Sequence, residues 1–194
     1  MKRSDFLRTS SQFACASYVA LVLAPHATAA DAPAPATPPT PVDDALKKAQ
    51  AENQFINNWL TDLFDTIDAE LDRPTQLKLI EGCGRGCFRR HKFKTDIAEA
   101  GKGDAEKLIA AYRKNFGIRR EGDDVHITYG REKNSCFCPA ARNRPARPND
   151  LHCECTRATH QAVFETALGR PIKVELVETV RRGGQRCHLV AHLS

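Results

Sequence analysis

Apolar residues change their spacing at Gly117 in this 194-residue chain, and that change limits the possible folds more than any other feature. Before Gly117 they recur every three or four positions, the period of a helix. Ala45, Phe55, Ile56, Trp59, Leu60, Leu63, Phe64, Ile67 and Leu71 follow this spacing and predict an amphipathic helix from Asp43 that ends before Pro74, with Trp59 and the aromatic residues in the core. A second helix is expected from Pro74, carrying Leu77, Leu79 and Ile80 towards "EGCGRGC". A third is expected to bury Leu108, Ile109, Tyr112 and Phe116 and to stop at Gly117. Beyond Gly117 the period becomes two. "IRREGDDVHITYG" predicts a hairpin turning at Gly122-Asp123, and "REKNSCFC" is a candidate next strand. "TRATHQAVFETALG" predicts a helix capped by Thr156 and stopped at Gly169. "PIKVELVETV" and "RCHLVAHL" read as antiparallel partners across "RRGGQ", with Cys187, Leu189, Ala191 and Leu193 on one face. The expected fold is α+β: a helical N-terminal half followed by a small antiparallel sheet with one helix packed across it.

The start of the chain has a different character. Residues 1–30 combine a basic beginning (Lys2, Arg3, Arg8), an apolar run over Phe13–Leu23 and the small residues Ala27-Thr28-Ala29-Ala30, which reads as a signal peptide. About eleven apolar residues are too few to span a bilayer, which needs ~20, so no membrane span is expected in the mature form. Lys2-Arg3-Ser4-Asp5-Phe6-Leu7-Arg8 is similar to a twin-arginine translocation signal with Ser4 in place of the second arginine. That route and the general secretory route both stay open, and either makes the protein periplasmic or otherwise exported. Residues 31–42, "DAPAPATPPTPV", form a Pro/Ala-rich linker, leaving 43–194 as a single cysteine-rich domain. Removing residues 1–30 takes away three basic side chains and Asp5, so the formal charge of +5 falls to +3. So small a bias gives no footing for nucleic acid. "RRHKFK" and "RNRPAR" read as solvated surface.

Seven cysteines remain in that domain, at 83, 87, 136, 138, 153, 155 and 187. An odd number cannot pair completely within one chain. In an extended strand, residues i and i+2 lie ~6.6 Å apart on one face, which resists a mutual disulfide needing Cβ atoms ~3.5–4.5 Å apart. Two thiolates on one zinc lie ~3.8 Å apart, given Zn–S bonds of ~2.3 Å. On a strand, Cys136/Cys138 and Cys153/Cys155 would therefore each act as a clip for one metal. His152 and His160 could add a nitrogen. The competing reading is a pair of cross-links, 136 to 155 and 138 to 153, formed in an oxidising compartment.

Cys83 and Cys87 are four apart with Gly82, Gly84 and Gly86 interleaved. The glycines predict a turn whose backbone N–H groups face something anionic, such as thiolates or the sulfides of an iron–sulfur cluster. Arg85, Arg89, Arg90 and Lys92 would lower thiol pKa values nearby or form a solvated face.

From about His152 to Leu193, Cys155, Phe164, Leu168-Gly169-Arg170-Pro171, Val174, Glu178, Gly183 and Cys187 follow one another in an order that resembles the 4-vinyl reductase domain family. The resemblance implies a small α+β domain that binds a small hydrophobic molecule. It also implies zinc held by cysteines and an acidic residue, with Cys155, Glu178 and Cys187 as ligand candidates.

The chain lacks a nucleophile–base–orienter set, a paired-carboxylate site, a phosphate loop, a dinucleotide fingerprint and a Cys-x-x-Cys redox motif. Three readings follow. The first is an exported protein with a zinc ion or Fe-S cluster held by Cys83, Cys87, Cys136, Cys138, Cys153, Cys155, Cys187 and Glu178, serving binding or sensing. The second is a thiol or cluster redox enzyme. The third is a disulfide-stapled domain without a cofactor. The oligomeric state stays open.

Overall fold

The computed structural model describes residues 41–130, 136 and 138–194. The signal, nearly all of the linker and most of "REKNSCFC" lie outside the described residues. The elements run α1 (Pro41–Glu70), α2 (Arg73–Arg90), α3 (Lys92–Ala100), α4 (Ala105–Tyr112), β1 (Gly117–Glu121), β2 (Asp124–Tyr129), α5 (Leu151–Leu168), β3 (Lys173–Glu178) and β4 (Cys187–His192). The strands form one antiparallel sheet in the order β1-β2-β4-β3. α5 packs against the sheet, so the expected α+β arrangement is the observed one.

The period-two reading holds strand by strand. Gly122 takes φ +60° between β1 and β2, the left-handed backbone that a two-residue hairpin favours. Val125, Ile127, Leu189 and Ala191 are wholly buried beneath α5, where Phe164 meets them. Tyr129 pairs with Cys187 across β2 and β4, which puts both on that inner face. β3 keeps Val174 inward, but its register shifts between Leu176 and Glu178. That bulge sets Glu178 opposite His188, whose ring reaches His126 on the outer face of the sheet.

Four expectations change. α2 runs unbroken through Gly82, Gly84 and Gly86 instead of turning there. Each glycine costs a helix about 1 kcal/mol relative to alanine, and packing on α5 offsets this at Gly84. A Cβ on Gly84 would lie 2.7 Å from the Ala158 Cβ and would run into the Cys155 carbonyl oxygen. The Thr159 hydroxyl instead donates to the Gly84 carbonyl at 3.0 Å. The predicted third helix is α4, which ends at Tyr112 rather than at Gly117, and an additional helix, α3, precedes it; Asp104 caps α4 by accepting from the Glu106 and Lys107 backbone N–H groups. α5 begins six residues earlier than expected, at Leu151, because Asp150 rather than Thr156 caps it. Finally, α1 forms as predicted, yet Phe55, Ile56 and Trp59 are exposed and outside the core. Its hold on the body comes from its last turns. The buried Arg144 guanidinium binds Asp65 (3.0 Å) and Asp68, and the Gln76 amide donates to the carbonyls of Ile67 (3.1 Å) and Leu71 (2.9 Å). "RNRPAR" is therefore in part a buried clamp rather than solvated surface.

Candidate functional site

A cavity of about 470 Å³ opens where β2 ends and β4 begins, between α5, α3 and the loop that follows Cys136. Six cysteines line it: Cys87, Cys136, Cys138, Cys153, Cys155 and Cys187. All seven cysteines from Cys83 to Cys187 are free thiols, so neither expected cross-link is present.

The helical setting of Cys153 and Cys155 decides how the thiols group. At ~100° per residue, His152, Thr156, Thr159 and Val163 form the stripe of α5 that faces the cavity, and the two cysteines stand on opposite flanks of it. They cannot form a strand-type clip. Burial pushes the Cys155 thiol up to about 12, and its charged neighbours in order of effect are Cys87, Cys138 and Cys83. Burial likewise pushes Cys153 up to about 11, with a hydrogen bond to the Thr179 hydroxyl at 3.1 Å opposing it and Cys187 adding to it. Cys136 is raised first by burial, and the thiols of Cys138 and Cys187 also raise it. The sulfurs thus divide into two groups. In the first, Cys83, Cys87 and Cys138 act on Cys155; in the second, Cys187 acts on Cys153 and Cys136, and Cys138 beside Cys136 links the two.

Gly84 makes the first group possible. Its close approach to α5 brings the face of α2 bearing Cys83 and Cys87, four apart, beside Cys155. The cation at this end is Lys94, whose ammonium lies 2.9 Å from the Cys87 sulfur. Two of the four basic residues singled out from the sequence are engaged elsewhere, Arg85 with Glu165 at 2.8 Å and Lys92 with Asp96 at 2.7 Å.

The second group is placed by a buried ion pair. Arg181 donates to Asp150 at 2.8 Å and to the carbonyls of Ala141 (2.6 Å) and Arg144 (3.1 Å), tying the loop after Cys138 to the turn before Cys187. Burial alone would raise the Asp150 carboxyl, but hydrogen bonds from His152 and Arg181 outweigh it and hold the group well below its usual range. The Asp150 carboxylate lies 3.1 Å from His152 Nδ1, and Nε2 of the same ring is buried with no hydrogen-bond partner among the described residues.

Aromatic side chains make up much of the remaining wall, with Arg142 and His91 also lining the cavity. His160 is pushed down to about 3, chiefly by burial, and Tyr112 lies 3.2 Å from its Nδ1. Phe116 and Tyr129 pack around the same imidazole. Burial raises the Tyr129 phenol well above its ordinary value.

The structure brings seven of the eight predicted site residues to these two groups, with Cys83 at the exposed edge of the first. Glu178 does not line the cavity. Its carboxylate accepts from the Gln185 backbone N–H and braces the turn. Cys153, rather than Cys155, is the α5 cysteine beside Cys187. Lys94, Asp150, Arg181 and Thr179 went unnoticed in the sequence. Asp150 alone left a signal there, as an Asp just before a helical run.

Among the described residues, no group of three His, Cys, Asp or Glu side chains could hold a metal ion. A single zinc needs its sulfurs ~3.8 Å apart, so the residues as placed do not fit one. A four-iron cluster asks for a wider spacing, because each thiolate binds a separate iron. Of the first group, Cys87, Cys138 and Cys155 line the cavity, with the Lys94 ammonium 2.9 Å from the Cys87 sulfur, and Cys83 is exposed. The chain belongs to a family of unknown function, DUF6144, whose family model matches residues 42–193. No curated protein matches it. No helix of the described residues is long and apolar enough to cross a membrane.

Proposed function

We propose that the protein is an exported iron–sulfur protein that binds or senses a small hydrophobic molecule. Cys83, Cys87, Cys138 and Cys155 would hold the cluster, and the aromatic wall would hold the molecule. One observation carries the reading: six cysteines from separated parts of the chain line one cavity. Without a cation, burial first and neighbouring thiols second hold Cys136, Cys153 and Cys155 in the protonated form. A cluster supplies the missing positive charge, and when bound it offers one-electron chemistry or an open iron site. The Lys94 ammonium offsets the negative charge of the thiolates. Tyr112, Phe116, Tyr129 and the neutral His160 exclude water from the chamber alongside. A volume of about 470 Å³ lies within the ~300–1,000 Å³ usual for small-molecule sites. Residues 1–30, read as an export signal, put this chemistry outside the cytoplasm.

The test is anaerobic reconstitution of metal-free protein with ferrous iron and sulfide. An absorbance band near 400 nm is expected in the wild type and in Cys153→Ser, and its loss in Cys155→Ser. No band in the wild type, or equal bands in both variants, would refute the assignment.

A further inference from the structure

We infer that α1 pairs with the same helix of a second copy of this chain, along the face from Val42 to Leu63. α1 has 30 residues and is about 45 Å long at 1.5 Å per residue. Its last turns are held to the body by Arg144 and Gln76, and Phe64 lies against the His152 ring with centroids 4.0 Å apart. The preceding length leaves its apolar side open: Val42 is 74% exposed, Leu46 56%, Phe55 73%, Ile56 55%, Trp59 59% and Leu63 38%. Phe55 lies on the outer side of that stripe; the other five amount to on the order of 500 Å² per chain, so two copies would bury roughly 1,000 Å², the least that a specific protein–protein interface needs.

The sequence of the helix argues for a like partner. Val42, Leu46, Ala49, Asn53, Ile56, Leu60, Leu63 and Ile67 alternate in steps of about four and three, the 3.5-residue period of a coiled-coil seam. Leu60 and Ile67 are half-buried against the body, so the free part of the seam is its N-terminal length plus Leu63. Asn53 falls where a single polar residue fixes parallel register between two helices. It is exposed, and its side-chain oxygen accepts only from Asn57 of its own helix, at 3.1 Å. In a parallel pair the flanking Glu52 meets Asn57 of the second copy, so no like charges oppose each other there. A lipid surface is a poorer match. α1 carries Asp43, Asp44, Glu52, Asp62, Asp65, Asp68 and Glu70 against Lys47 and Lys48, whereas helices lying on anionic membranes are basic on their polar face.

The test is the mass by light scattering of protein purified from its own compartment, at tens of micromolar. The wild type should run at twice its denatured single-chain mass. Ile56→Glu combined with Trp59→Glu should run at the single-chain mass with unchanged near-ultraviolet circular dichroism, because both side chains lie outside the core. Lys48→Glu, off the seam, should keep the doubled mass. A single-chain mass for the wild type would overturn the proposal, as would association that survives the double substitution. So would a wild-type monomer that sediments with phosphatidylglycerol vesicles.

Discussion

At the scale of single residues, the thiols and the Asp150 ion pair are the groups most altered by folding. An unfolded cysteine ionises near 8.5, whereas folded Cys153 and Cys155 keep their protons to about 11 and about 12. Between those values the folded chain binds more protons than the unfolded one, so stability falls as pH rises. Metal-free protein should therefore keep the full contribution of these thiols below about pH 8.5 and lose it progressively up to about pH 12. Urea midpoints measured across that range should slope less steeply in Cys153→Ala/Cys155→Ala than in the wild type. Parallel slopes would mean that the two thiols are more open to water than their placement indicates. Asp150 works with the opposite sign: its lowered carboxyl contributes above the ordinary carboxylate range and loses that contribution as pH falls.

At the scale of elements, the α2–α5 crossing governs the first thiol group. Gly84→Val adds side-chain atoms where a Cβ already collides with Cys155 and Ala158. Overpacking of this kind costs about 1–3 kcal/mol, more than the roughly 0.5–1 kcal/mol by which replacing a mid-helix glycine can help. The variant should melt several degrees lower and lose the 400 nm band, because Cys83 and Cys87 move away from Cys155. An unchanged melting temperature with full reconstitution would show that the close approach is dispensable. The same crossing shows what the sequence could reveal. The hairpin at Gly122, the inward set Cys187-Leu189-Ala191 and the stop at Gly169 were legible, because turn chemistry and period-two burial are local. The helical course through Gly82–Gly86 was not, since Gly84 answers to α5, 75 residues away in the chain. The cap at Asp150 was missed in favour of Thr156, and that error put Cys153 and Cys155 on an extended segment rather than a helix. Trp59 and Phe55 have helical spacing, yet such spacing alone does not place a stripe in the chain's own core, and both are exposed.

At the scale of the whole molecule, the fold sets helices and sheet around one cavity whose walls are sulfur at two ends and aromatic between them. Arg144 and Arg181, both buried, tie α1, the loop after Cys138 and the β3–β4 turn into one frame around it. The account rests on that frame gathering thiols for a polynuclear metal centre. Iron and acid-labile sulfide, assayed per chain on protein isolated anaerobically from its own compartment without chelator, test this most directly. The account predicts both in stoichiometric amounts, with thiol titration under native conditions falling short of seven by about four, the ligand number of a Cys₄-bound cluster. Seven titratable thiols with neither iron nor sulfide would contradict it.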